Sequence, residues 1–229
     1  MMYCERGINH MLRLDSVCYK YKNSNHNVLK NITCEFEAGK IYSVVGPSGS
    51  GKTTLLSIMA GLDKPTSGNL FIDGKNLSDL DLNKYRRENI SMIFQAFHLF
   101  PLLTAIENVC QLMEINGVKR REAVKTAKVL LESVGIDTSK HKRYPSNLSG
   151  GEQQRVAIAR ALSSGAKVIL ADEPTGNLDK ENGEAVISIL KELAKRGNYC
   201  VIVVTHNMKI AEASDVVYEM DDGELSSQA

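Results

Sequence analysis

The sequence has no run of 18 apolar residues and no signal-like apolar segment among its first ten positions, which predicts neither a membrane-spanning helix nor export. Excess charge is also missing: 28 Lys and Arg stand against 27 Asp and Glu, a formal net charge of +1. That balance argues against a broad basic face for DNA or RNA, though not against a small basic site. There is no C-x-x-C pair either. The five cysteines, Cys4, Cys18, Cys34, Cys110 and Cys200, are scattered, three of them in apolar strand-like runs. Buried thiols in a reducing cytosol fit this better than disulfides or metal ligands. Residues 1–10 read as a loose leader ahead of Met11. What remains is long enough for one large α/β domain or two small ones.

Glycine is concentrated where chemistry needs it. Residues 46–54 read Gly-Pro-Ser-Gly-Ser-Gly-Lys-Thr-Thr, after the apolar run 41–45 and before Leu55, Leu56, Ile58 and Met59 at helical spacing. Gly46, Gly51, Lys52 and Thr53 meet the pattern G-x-x-x-x-G-K-[ST] on a strand-to-helix turn. Gly49 adds another position without a side chain, and Pro47, Ser48, Ser50 and Thr54 complete the stretch. Such a loop can turn backbone N–H groups toward a phosphate, beside the positive end of a helix dipole. Lys52 is then expected at the β- and γ-phosphates and the Thr53 hydroxyl on magnesium. A glycine-rich turn without a ligand is the bland alternative.

Along the rest of the chain, residues 12–21 and 31–37 read as strands around a polar turn at 23–27, with Ile32, Cys34 and Phe36 on one face. A breaker at 64–68 precedes a strand at 69–73, so these early strands predict a mixed or antiparallel sheet beside a main one. Residues 90–94 form another apolar strand. From Gln95 to about Leu162 the signals are mainly helical, most clearly at 121–134 before Gly135, which predicts a helical lobe inserted in an α/β core. Residues 168–171 and 200–204 are all-apolar strands around a helix at 184–195 closed by Gly197. Strand, helix, strand in that order implies parallel pairing through a right-handed crossover.

Two further segments narrow the chemistry. Asp172 and Glu173 follow the apolar strand at 168–171. With Lys52 present they are expected to face one nucleotide, Asp172 on the magnesium shell and Glu173 on the attacking water. The segment Leu148-Ser149-Gly150-Gly151-Glu152-Gln153-Gln154-Arg155 opens a helix with an S-x-x-E capping box. Capping alone does not explain two glycines in a first turn, each weakening the helix by about 1 kcal/mol relative to Ala. They suggest close approach of an anion, a second phosphate-binding surface in one chain.

Over nearly its whole length the chain resembles the ATP-binding-cassette family. The loop at 46–53, Gln95 after a strand, the signature 148–153, Asp172-Glu173, Gly176-Asn177-Leu178-Asp179 and His206 match that family's motifs in its order. The resemblance implies a P-loop NTPase core with a mostly parallel sheet, an N-terminal antiparallel β subdomain and an inserted α-helical subdomain. It implies one domain over 1–229, with about 11–94 and 163–229 as nucleotide-binding core and about 95–162 as the helical lobe. It implies ATP sandwiched between the phosphate loop of one copy and Ser149, Gly150 and Gly151 of another in a homodimer, with Asp179 at the interface. Tyr21 is implied to stack on adenine, with Tyr19 the weaker candidate and a half-exposed strand tyrosine the alternative. Gln95 is implied to touch magnesium and the attacking water, and His206 to contact the γ-phosphate beside Glu173. Residues 94–101, with three phenylalanines, form either the core of the lobe or a groove for a membrane subunit. Leu62–Gly68, Tyr85–Glu88 and Ala171–Asp179 are similar to the branch of lipoprotein-releasing, macrolide-export, peptide-resistance and cell-division ATPases. The function implied is the magnesium-dependent ATPase of an ABC transporter or mechanotransmission complex, cytoplasmic and peripheral on the inner face of the membrane, powering separately encoded permease subunits through ATP-driven dimer closure. No nucleic-acid partner is implied. A cassette of nucleic-acid repair or translation, or an ATP sensor without turnover, is the alternative.

Overall fold

The computed structural model describes residues 10–22 and 26–228; of the leader expected over 1–10, positions 1–9 lie outside them and His10 instead opens the first strand, and positions 23–25 of the polar turn also lie outside. Strands β1 (His10–Tyr19), β2 (Leu29–Glu37), β4 (Ser67–Ile72) and β5 (Lys75–Asn76) form an antiparallel sheet in the order β2-β1-β4-β5. The alternation predicted at 31–37 is realised there, with Ile32, Cys34 and Phe36 inward.

The second sheet runs β10-β9-β3-β8-β7-β6, from β3 (Ile41–Val45), β6 (Ile90–Ile93), β7 (Val168–Asp172), β8 (Cys200–Val204), β9 (Val216–Asp221) and β10 (Glu224–Gln228). All its pairings are parallel except the β9-β10 hairpin. Every residue of β3 and β8 is buried, as befits strands covered on both faces. Alternate side chains of β3, β7 and β8 enter two different cores. Tyr42, Val44, Leu170, Ile202 and Val204 meet the antiparallel sheet and helix α1 (Lys52–Met59). Ile41, Ile169, Ala171, Val201 and Val203 meet the helices on the other face.

Between β5 and β6 stands α2 (Leu82–Glu88), capped by Asp81. Three helices, α3 (Ala105–Ile115), α4 (Arg120–Ser133) and α5 (Gly150–Leu162), occupy the chain between β6 and β7. After them come α6 (Lys180–Gly197) and α7 (Met208–Ala213).

The last long helix differs from its predicted span at both ends. Asp179 accepts from the Asn182 amide at 2.9 Å and so starts α6 at Lys180; the exposed polar residues of that first turn carry no apolar period to read. At the other end Gly197 is still helical, and Asn198 takes the left-handed turn (φ 54°) usual for a terminating glycine or asparagine.

Candidate nucleotide site

β3 delivers the chain to Gly46, where a Cβ would stand 2.0 Å from the Met220 carbonyl oxygen of β9. No other residue type fits that approach without moving a backbone. Gly51, at φ 109°, is the N-cap of α1 and gives it no side-chain cap. The first turn of α1 therefore keeps its N–H groups available, with no acidic residue among them.

Around this loop lies a cavity of about 550 Å³, lined by Gly46, Ser48, Gly49, Gly51, Lys52, Thr53 and Thr54 on one side. Tyr21, Val28, Asp172, Glu173, Val204 and His206 complete it. Lys52 Nζ donates to the carbonyls of Gly46 and Pro47, both at 2.8 Å, so the cation is folded onto its own loop. Ser50 is not among the lining residues; its hydroxyl is buried without a hydrogen-bond partner. Tyr21 leaves β1 and places its hydroxyl 3.0 Å from Thr54 Oγ1, its ring edge-on to Tyr19. Tyr19 is buried in the first core, which leaves Tyr21 as the aromatic of the cavity.

Strand alternation would send Asp172 and Glu173 to opposite faces. They share one cavity because Glu173 leaves the strand in a left-handed conformation, φ 46°. Burial raises the Asp172 pKa, the adjacent Glu173 adds to the rise, and Lys52 opposes it. Glu173 Oε1 accepts from the His206 backbone N–H at 3.1 Å and lies 2.7 Å from His206 Nδ1. Its other oxygen, Oε2, accepts from Thr205 Oγ1 at 3.0 Å.

The remaining predicted residues stand outside this cavity. Ser149 N-caps α5, its hydroxyl accepting from Glu152 N while Glu152 accepts from Ser149 N. The two glycines that follow are unlike. A Cβ on Gly150 would meet nothing closer than 3.7 Å, whereas one on Gly151 would lie 2.0 Å from Asn182 Oδ1. Packing against Asn182 thus accounts for the buried Gly151, and only the exposed Gly150 has no internal reason to be glycine. Asn182 in turn donates to both carboxylate oxygens of Asp179. Gln95 Nε2 donates to Asn177 Oδ1, and Asn177 Nδ2 donates back to the Gln95 carbonyl, each at 3.1 Å.

Sequence reasoning passed over Thr205, Val28, Met220 and Asn182. Thr205 adjoins the matched histidine, which was a usable signal. Val28 and Met220 act through contacts distant in sequence, as Asn182 does at Gly151.

Residues 94–101 are partly packed on the helical lobe and partly exposed. Leu99 packs against the helical core, and Arg160 holds the Phe97 carbonyl at 3.1 Å. Phe100 is exposed and lines a groove of about 340 Å³ with Arg86, Arg87, Leu112 and Ile115.

The residues present fit a nucleotide and a divalent cation. The cavity joins a lysine, an uncapped helix N-terminus, the Thr53 hydroxyl and the Asp172 carboxylate. Among the described residues no group of three or more His, Cys, Asp or Glu is placed to hold a metal ion by itself. Among the described residues, too, no helix is long and apolar enough to cross a membrane.

Comparison with known proteins agrees with this geometry. Residues 29–176 match the family model described as ABC transporter. The Bacillus subtilis ABC transporter ATP-binding protein YclH is 40% identical, over 94% of this chain and 96% of its own. The Escherichia coli macrolide export ATP-binding/permease protein MacB is 44% identical over 94% of this chain, which spans only 34% of MacB. The solved dimeric ATP-binding cassette MJ0796, in a post-hydrolysis state bound to ADP and Pi, superposes with a TM-score of 0.84 at 38% identity, covering 95% of this chain and 98% of that one. A phosphate loop, a paired carboxylate and histidine, and a family match across these same strands lead to one conclusion: the chain belongs to the ABC transporter family, as one of its ATPase cassettes.

Proposed function

We propose that this cassette works as a nucleotide-sandwich homodimer that hydrolyses ATP with magnesium and drives integral membrane permease subunits from the cytoplasmic face. One observation carries the reading. Base, lysine and loop share a single cavity, while Ser149 and the open Gly150 stand apart from it on the N-terminus of α5. A second copy is what brings such a surface to the cavity's mouth. The solved MJ0796 cassette is a dimer, and MacB joins an ATP-binding part to a permease.

In this reading the core comprises about 11–94 and 163–229, with about 95–162 as a helical lobe. Tyr21 stacks on adenine. Lys52 exchanges its two carbonyl partners for the β- and γ-phosphates, and the amides of 46–54 hold the phosphate chain. Thr53 and Asp172, joined by Gln95 on closure, would hold magnesium, which when bound would supply charge neutralisation to the phosphate chain. Glu173 takes a proton from the attacking water while His206 contacts the γ-phosphate. Ser149, Gly150 and Gly151 of the second copy cover that phosphate, and Asp179 lies between copies. The groove beside Phe100 and Ile115 receives the permease, whose apolar segment covers side chains that are otherwise exposed.

Glu173→Gln tests the reading. Turnover is expected to fall by about a hundredfold or more, with ATP affinity kept and an ATP-dependent dimer in size-exclusion chromatography. Hydrolysis at the parental rate would remove Glu173 as base, and an ATP-loaded monomer would remove the sandwich.

A further inference from the structure

Glu173 lies one residue beyond β7 in a left-handed conformation, so no pleat orients its side chain. Its carboxylate is fixed by hydrogen bonds, and these come from two consecutive residues after β8. The two differ in rigidity. The His206 side chain is 75% exposed, against 16% for Glu173. Thr205 is fully buried. Its N–H donates to the Val44 carbonyl at 3.1 Å, at the end of the strand that feeds the phosphate loop. Its hydroxyl accepts from the Asn207 amide at 3.0 Å. A hydroxyl has one proton. With the Asn207 amide donating in, the Thr205 proton is directed to Glu173 Oε2, 3.0 Å away.

We propose that Thr205 is a positioning residue for hydrolysis, holding Glu173 by Oε2 so that Oε1 stays aimed into the cavity when His206 turns toward the phosphate. This rests on Glu173 being the base. His206 is then the movable half of a clamp and Thr205 the fixed half. Because Thr205 is tied to β3 and Glu173 N–H to the Val204 carbonyl at 2.9 Å, the clamp sets the base relative to the phosphate loop itself. Losing the hydroxyl leaves a carboxylate oxygen short of a donor and the side chain free to follow His206, which costs turnover and leaves nucleotide binding alone.

The experiment is steady-state Mg-ATP hydrolysis by the full chain in four forms: parental, Thr205→Val, Thr205→Ser and Glu173→Gln. Thr205→Val keeps the shape and removes the proton; kcat is expected to fall about tenfold, the size of one hydrogen bond to a charged group, with KM within about twofold. Thr205→Ser restores the hydroxyl and is expected to stay within about threefold of the parent. Should Thr205→Val fold poorly, Thr205→Cys, with its weak S–H donor, reads the same loss. Parental kcat in either of these variants, with Glu173→Gln inactive, overturns the inference. Equal losses in Thr205→Val and Thr205→Ser also overturn it, since packing would then be the cause. Parental turnover in Glu173→Gln instead sinks the assignment of the base, a separate failure.

Discussion

The phosphate loop and the N-terminus of α5 are both glycine-rich helix starts, and they are built in opposite ways. Helix α1 begins at Gly51 with no side-chain cap and no acid in its first turn. Helix α5 begins with a full capping box and carries Glu152 there, its charge met by Lys140. The first surface leaves its amides and dipole entirely to a ligand. The second has already spent an amide on Ser149 and set a carboxylate beside the others. In the proposed sandwich the loop would be the strong anion site, able to hold a triphosphate alone, and α5 the weak one, responding to a phosphate already held for it. Binding and sensing would then be separated within one chain.

Lys52→Ala is the harshest way to break that contrast. It removes the cation of the strong site, and ATP affinity is expected to fall at least about tenfold in calorimetric titration. Ser149→Ala, on the weak site, should leave the affinity of the single chain within about twofold while slowing turnover. Equal affinity losses in the two variants would erase the distinction.

The two signature glycines sharpen it further. Gly151→Ala drives a methyl into Asn182, and an unfolding free energy lower by about 2 kcal/mol is expected from overpacking. Gly150→Ala meets open space; it should raise the melting temperature slightly, by up to about 1 kcal/mol of helix propensity, and still lower turnover. A Gly150→Ala variant with unaltered hydrolysis would deny that glycine a ligand.

The smallest expected effect concerns acid. The Lys140 ammonium, against the pull of burial and with help from the Ser149 amide, holds the Glu152 carboxyl below its ordinary value of 4.5. A depressed folded pKa means stability present in full above that ordinary value and lost as pH falls through the lowered one. Urea midpoints between about pH 5 and pH 3 should therefore drop less in Glu152→Gln than in the parent, by a few tenths of a kcal/mol at this partly exposed pair. An identical acid slope in both proteins would discount the pair.

How much could be read in advance follows from the range of each interaction. The loop at 46–54, the strands at 41–45 and 200–204 and the α5 cap are local patterns, and they stand where the residues put them. Helix α2 and the β9-β10 hairpin were unread because they bury little: Tyr85 in one, Met220 in the other. The convergence of Asp172 and Glu173 was expected, but its means was not, since a left-handed glutamate leaves no trace in composition. Gly150 and Gly151 read alike in the sequence; that Gly151 also packs against Asn182 was not legible, because Asn182 lies on another helix.

Met220 sets the shape of a loop that precedes it by most of the chain. Its carbonyl occupies the place of a side chain at position 46, and the Gly223 amide donates to the Ser50 carbonyl at 3.0 Å. During synthesis residues 46–54 leave the ribosome before the strand that braces them. A nascent chain would then carry the motif before it could grip a nucleotide, and competence would arrive with the β9-β10 hairpin.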